Sequence, residues 1–262
     1  MQTQPEIYRP AWARSLSNLG YFLNALGRYA EALECAQQAE HIECELAQAQ
    51  PEVYHPTWAI SLGNVAEALL LAGEACHALP PAEQAAALYT ALTARYPKTY
   101  QEHHGWCYRI LAEILLESGS LERALDKAHA AVALLGEMFS ERPGHTPAQY
   151  GKALALLARC QRAREDLTGS LHTLQRAIRE LGPHYERHPA ALQTVMTKIV
   201  ASLRSLTPGI GGSGGFTNHP GFVGSLSCVL CTPTYRSMSL DSRETEDTHA
   251  SDQDSTRPCA LW

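Results

Sequence analysis

The sequence predicts an all-α fold, a solenoid of stacked helix-turn-helix units, and three observations lead there. First, the stretch QPEIYRPAWARSLSNLGYFLNALGRYAEAL (Gln4–Leu33) returns 46 residues later as QPEVYHPTWAISLGNVAEALLLAGEACHAL (Gln50–Leu79). Second, in that register Pro5, Pro51, Pro97, Pro143 and Pro189 share one column, Gly27, Gly73 and Gly119 another, and Ala32, Ala78 and Ala124 a third. Third, apolar residues inside the units recur at spacings of three and four, the period of one helix face. A fixed period of roughly 20–50 residues marks a repeat array, whose units bury their apolar faces only by stacking. The register divides 5–206 into units 5–50, 51–96, 97–142 and 143–188 and a capping helix 189–206, with 207–262 as a tail.

In the first unit, Pro10 suits the opening turn of a helix, where an amide donor has no partner to lose. From Ala11 to Leu26 the residues Trp12, Leu16, Leu19, Leu23 and Leu26 form one apolar face. Gly27 can then take the left-handed conformation that ends a helix without a Cβ penalty. A second helix runs from about Tyr29 into the high forties, with Ala32, Leu33, Ala36, Ala39, Ile42 and Leu46 as its apolar set. Small residues at Gly20 and Ala32 let the two helices approach closely, and Ala39 admits the next unit.

Two later units depart from this pattern. Pro80-Pro81 falls early in the second helix of unit two, and an internal proline costs about 3 kcal/mol or more. The expectation is a break there, with the helix restarting at about Pro81. In unit four Arg164-Glu165 replaces the turn glycine and Gln161 a core leucine, which predicts a looser unit. The last amphipathic segment carries Leu192, Val195, Met196, Ile199, Val200 and Leu203 on one side and has no partner helix, as expected of a cap. Past Leu206, PGIGGSGG (Pro208–Gly215) has linker chemistry, and residues 216–262, rich in Ser, Thr and Asp, predict disorder.

The spacings resemble those of the tetratricopeptide repeat. Leu16, Leu19, Gly20, Leu23, Gly27, Tyr29, Ala32, Ala36 and Ala39 fall at that repeat's positions. Its small residues recur as Ala66, Ala78 and Ala85, as Ala112, Ala124 and Ala131, and as Ala158, Ser170 and Ala177. The unit is similar to the family's long form, with a stretched second helix and a P-x-x-Y connector at Pro5–Tyr8, Pro51–Tyr54 and Pro97–Tyr100. The resemblance covers about residues 5–206 and implies a right-handed α-solenoid whose first helices line a concave groove for an extended peptide or a partner helix.

Carried onto this sequence, that groove comprises Arg14, Asn18, Tyr21 and Asn24 in unit one, and Asn64 and Glu67 in unit two. Trp106, Arg109 and Glu113 follow in unit three, and Lys152, Arg159 and Arg162 in unit four. Asn18 and Asn64 share a column in which, in related repeats, an asparagine hydrogen-bonds the ligand backbone, a role suited to a carboxamide that both donates and accepts. Ser17 stands where the family's carboxylate clamp has a lysine, a departure that speaks against chaperone-tail binding. Lys152, Arg159 and Arg162 lie seven and three residues apart, close to one helix face at about 100° per residue. With Arg109 beside them, they suggest a peptide carrying an acidic or phosphorylated stretch.

Bulk properties and motifs narrow the function class. The 262 residues carry a formal net charge of −6, divided equally between 1–206 and 207–262, without the basic excess of a nucleic-acid binder. No apolar run reaches the roughly 18 residues needed to cross a bilayer, and the N-terminus has no secretory signal pattern. Eight cysteines, mostly at helical positions, suggest reduced thiols and a cytoplasmic location. Gly209–Gly215 lacks the flanking strand, helix and Lys-Ser/Thr pair of a phosphate loop. The lone Cys228/Cys231 pair has no second ligand pair at zinc spacing. His103, His104 and Cys107 read as surface or groove side chains rather than a metal site. Cys259 opens a terminal C-a-a-X match with an atypical Trp262 and no basic run before it. No H-E-x-x-H occurs.

The sequence therefore predicts a non-enzymatic protein-interaction scaffold with no cofactor and no metal. Its partner would be a protein or peptide, with no nucleic acid or membrane, and no oligomeric state is set. The alternatives are a regulatory arm of a larger NTPase- or protease-like signalling protein, the chain being a piece of a longer array, and a metal-dependent enzyme on a repeat scaffold.

Overall fold

Proline and glycine divide the chain into helices. In the computed structural model, which describes residues 5–206, these are α1 (Pro5–Ala25), α2 (Tyr29–Ala49), α3 (Pro51–Leu71), α4 (Ala75–Arg95), α5 (Pro97–Glu117), α6 (Leu121–Glu141), α7 (Pro147–Ala163), α8 (Leu167–Arg187) and α9 (Pro189–Leu206). Pro51, Pro97 and Pro147 open α3, α5 and α7 in the first turn, where their missing N–H leaves no bond unmade. The tail expected over 207–262, with its Gly209–Gly215 stretch, Cys228/Cys231 and the Cys259 ending, lies outside the described residues.

Four turns close in one way. Gly27, Gly73 and Gly119 have φ of 75°, 84° and 77°. The amide after each reaches back five residues to a carbonyl, Arg28 to Leu23 at 2.9 Å, Glu74 to Leu69 at 2.8 Å and Ser120 to Leu115 at 2.8 Å. This is the Schellman closure, which satisfies carbonyls that the helix end leaves open. Unit four makes it without glycine: Glu165 takes φ 65°, and the Asp166 amide reaches Gln161 at 2.9 Å. Asp166 then caps α8 by accepting from the Gly169 amide at 2.8 Å. Gln161, expected to loosen this unit, is buried and accepts from the Thr173 hydroxyl at 2.8 Å. The polar core residue has its partner, so looseness does not arise there.

Two further expectations are corrected. Pro80 and Pro81 do not break the second helix of unit two, since α4 runs through both. The carbonyls they leave unpaired belong to Cys76 and His77, which are exposed to water. Ala78, Ala82 and Ala85 stay buried on either side and hold the helix in line. Pro10 is likewise interior, because α1 starts at Pro5.

Each helix packs against its successor, and the odd helices also touch one another, α1 with α3, α3 with α5, α5 with α7 and α7 with α9. The odd helices thus form an inner row. Within a pair the approach is close: a Cβ on Gly20 would stand 3.2 Å from the Ala32 carbonyl oxygen. In the same column of unit four the Ser170 hydroxyl donates to the Ala158 carbonyl at 2.8 Å. The core fills with Tyr89, Ile110, Leu115, Leu135, Leu154, Leu174, Leu181, Met196 and Ile199, all essentially inaccessible. The apolar face expected on α1 is only partly used. Leu23 is buried, whereas Trp12, Leu19 and Leu26 are exposed.

Candidate functional site

The inner row places most of the sequence-derived groove residues on neighbouring helices, but it does not leave them equally open. One column of the register runs Tyr21, Glu67, Glu113, Arg159 and Ser205 across α1, α3, α5, α7 and α9. Its central members are tied together by charge. Arg109 donates through Nη2 to Glu67 at 2.9 Å and through Nη1 to Glu113 at 3.3 Å. Arg159 donates through Nη1 to the other oxygen of Glu113 at 2.7 Å and through Nη2 to Glu117 at 2.9 Å. Further along, Arg162 donates to the Ser205 hydroxyl at 3.0 Å.

This ladder corrects the reading of Arg109 as a ligand cation. Its side chain is 7% exposed and is held between carboxylates of α3 and α5. Charge-assisted bonds of this kind offset part of the desolvation of a buried guanidinium. Arg159 remains half-exposed, but both of its terminal nitrogens are engaged. Glu67 and Glu113 act here as partners of arginine. Glu117 completes the ladder and was missed by the sequence reading, although it sits one helical turn beyond Glu113 and therefore on the same face.

Trp106 is also committed to packing. Its six-membered ring lies on the backbone of α3, where a Cβ on Gly63 would fall 2.5 Å from two ring carbons. It packs against the buried cluster of Ala59, Leu62, Ala85, Tyr89 and Cys107. The signal for this was in the sequence: Gly63 stands in SLGNV where unit one has Ser17 in SLSNL.

The open positions lie at the two ends. Arg14, Asn18 and Tyr21 are exposed on α1, and Asn64 is half-buried on α3. Asn24 is half-buried, and its Oδ1 lies buried with no hydrogen-bond partner. At the far end Lys152 and Arg162 are exposed. Crowding in the inner row desolvates the Lys152 ammonium, and the Arg109 charge adds to that, so its pKa sits below the ordinary lysine value.

The histidines beside Cys107 take part in packing. His103 stacks on Tyr89, with ring centroids 5.8 Å apart. His104 is buried, with Nδ1 3.0 Å from the Thr93 hydroxyl and Nε2 3.3 Å from that of Thr90. Burial, reinforced by Lys127, pushes the His104 pKa down to about 4. Among the described residues no helix is long and apolar enough to cross a membrane.

No protein-family model matches the chain, and no curated protein matches it. Solved structures do. A Podosopora anserina protein assigned as a kinesin light chain of nearly identical TPR-like repeats aligns over 79% of this chain and 100% of its own, at 18% identity and a TM-score of 0.51. A single-residue variant of that protein aligns over 78% of this chain and 98% of its own, at 18% identity and a TM-score of 0.50. BtubC (BKLC) from P. vanneervenii aligns over 98% of this chain and 91% of its own, at 13% identity and a TM-score of 0.55. The likeness is one of fold: nine helices among the described residues, packed pairwise and stacked as TPR-like repeats.

Proposed function

We propose that the chain is a protein-interaction scaffold, built of four units of 46 residues and a capping helix, that holds an extended peptide along its inner row. The observation that carries this is the division of the row into a self-paired centre and open ends. From Glu67 to Glu117 two guanidiniums and three carboxylates pair with one another and present a preorganised polar floor. Asn18, Tyr21 and Arg14 on one side offer groups that a peptide backbone can use, and Asn64 adds a half-buried carboxamide.

Preference for an acidic stretch then rests on Lys152 and Arg162, since Arg109 and Arg159 already have carboxylate partners. Selection from a random peptide display library on the full chain tests the reading. The expected result is peptides whose binding falls at least tenfold in Asn18→Ala/Asn64→Ala. Acidic residues should be enriched at one end, and Lys152→Glu/Arg162→Glu should remove that enrichment. Peptides indifferent to all four substitutions would place binding on another surface.

A further inference from the structure

We infer that the far end of the inner row is a phosphate site, in which Lys152 of α7 and Lys198 of α9 together hold the phosphoryl group of a phosphorylated serine or threonine in the bound peptide. This rests on the peptide reading above and makes binding conditional on phosphorylation of the partner.

Charge is sorted along the row. α3 and α5 carry five carboxylates, Glu52, Glu67, Glu102, Glu113 and Glu117, against the cations Lys98 and Arg109. α7 and α9 carry no carboxylate and five cations, Lys152, Arg159, Arg162, Lys198 and Arg204. These two helices pack directly on one another. Arg159 is engaged by Glu113 and Glu117, and Arg162 donates to Ser205. Lys152 and Lys198 are exposed, and among the described residues neither forms an ion pair.

The two lysines stand 46 residues apart, in one column of the register, and so leave neighbouring helices at the same level. Packed helices have axes about 8–10 Å apart, a gap that two lysine stems can close on one bound group. Burial lowers the Lys152 pKa most, and the charges of Arg109 and Lys198 lower it further. Glu67 and Glu113 favour its charged form, but both are already bonded to arginine. The approach of like charges is therefore unrelieved within the fold, and a dianion would satisfy both ammoniums at once.

A phosphomonoester carries about −1.5 to −2 charges at pH 7 and three acceptor oxygens, whereas a carboxylate carries one charge. Its bonds to ammonium groups are charge-assisted. The carboxylates of α3 and α5 confine the ligand's negative charge to this end of the row, because like charges placed opposite one another oppose binding. That favours a single phosphorylated residue over an extended polyanion such as a nucleic acid or a lipid surface.

The test uses the full chain and the capped pentapeptide Gly-Gly-phosphoserine-Gly-Gly, with serine and glutamate counterparts, followed by calorimetry and backbone amide shifts. The expected result is saturable binding of the phosphopeptide, with shifts gathered around Lys152 and Lys198. The glutamate peptide should bind at least about tenfold more weakly, since it offers one charge. Lys152→Ala and Lys198→Ala should each weaken phosphopeptide binding by about tenfold or more without moving the thermal midpoint. Lys198→Arg should retain it, and so should Arg179→Ala, which removes an exposed cation of α8. Absence of binding, shifts elsewhere, or indifference to both alanine variants would overturn the inference. So would inorganic phosphate binding as tightly as the pentapeptide, or capture by phosphoinositide vesicles in its place. A random peptide library with one fixed phosphoserine separates the two readings. Peptides selected along the row that bind equally well with serine in that place would overturn the phosphate site and leave the peptide reading intact. Pentapeptide binding at the two lysines, with no longer peptide gaining affinity over it, would support the phosphate site and remove the peptide reading.

Discussion

His104 shows how a residue can resemble a ligand and act as a wedge. In HHGWC it has the look of a metal donor, yet it sits between Thr90, Thr93 and Tyr108, with its ring centroid 4.2 Å from that of Tyr108. Burial holds its pKa at about 4, against the ordinary value of 6.5. The sign follows from linkage. Below about pH 6.5 the unfolded chain takes up a proton that the folded protein refuses until about pH 4, so stability falls across that window and is unaffected above it. A shift of this size corresponds to about 3 kcal/mol. His103 is shifted the same way by burial, and Glu43, raised by burial, acts in the opposite sense at the acid end. Urea melts from pH 7.5 to 4 should therefore show a steep loss in the native protein and a shallower one in His104→Gln. Equal slopes would mean that the ring is protonated in the fold.

At the scale of elements, the turns were the most legible part of the chain. A glycine recurring every 46 residues announces a left-handed position, and the structure gives all three that conformation. Glu165 was not legible in this way. Its sequence suggested a loosened unit, because a side chain at positive φ is disfavoured, but the turn keeps its 2.9 Å closure and a capping aspartate follows. The strain should thus be stored at one residue, and Glu165→Gly should raise stability by about 1 kcal/mol. A lower denaturation midpoint in that variant would show that the glutamate contributes contacts worth more than the strain. The uninterrupted α4 was hidden for a related reason. Whether a proline breaks a helix depends on who needs its missing bond, and only the fold reveals that Cys76 and His77 face water.

Across the whole molecule, the repeat register exposed the fold but not the state of the groove. Columns report which positions face the same way. They do not report whether Arg109 meets a ligand or Glu67 of the next helix, because that depends on side-chain reach between units. The ladder makes a prediction at this scale. Arg109→Ala leaves Glu67 and Glu113 facing each other across α3 and α5, and should cost on the order of 3 kcal/mol in denaturant melts. Glu67→Gln in the same background should recover part of that loss, since a double-mutant cycle reads coupling between contacting residues. Strict additivity would show that the pair is not coupled.

The two sides of the stack are fastened differently, and that matters under load. On the inner side α3, α5 and α7 are joined through partly buried guanidinium–carboxylate bonds. The even helices α4 and α6 meet through one exposed pair, Arg123–Glu83, at 2.6 Å, which salt weakens readily. Bending that parts the inner helices must pull charges from low-dielectric surroundings, whereas bending that parts the outer ones meets little such resistance. The array should therefore flex like a book on its spine, opening along the even-numbered edge while the inner surface keeps the spacing of its side chains.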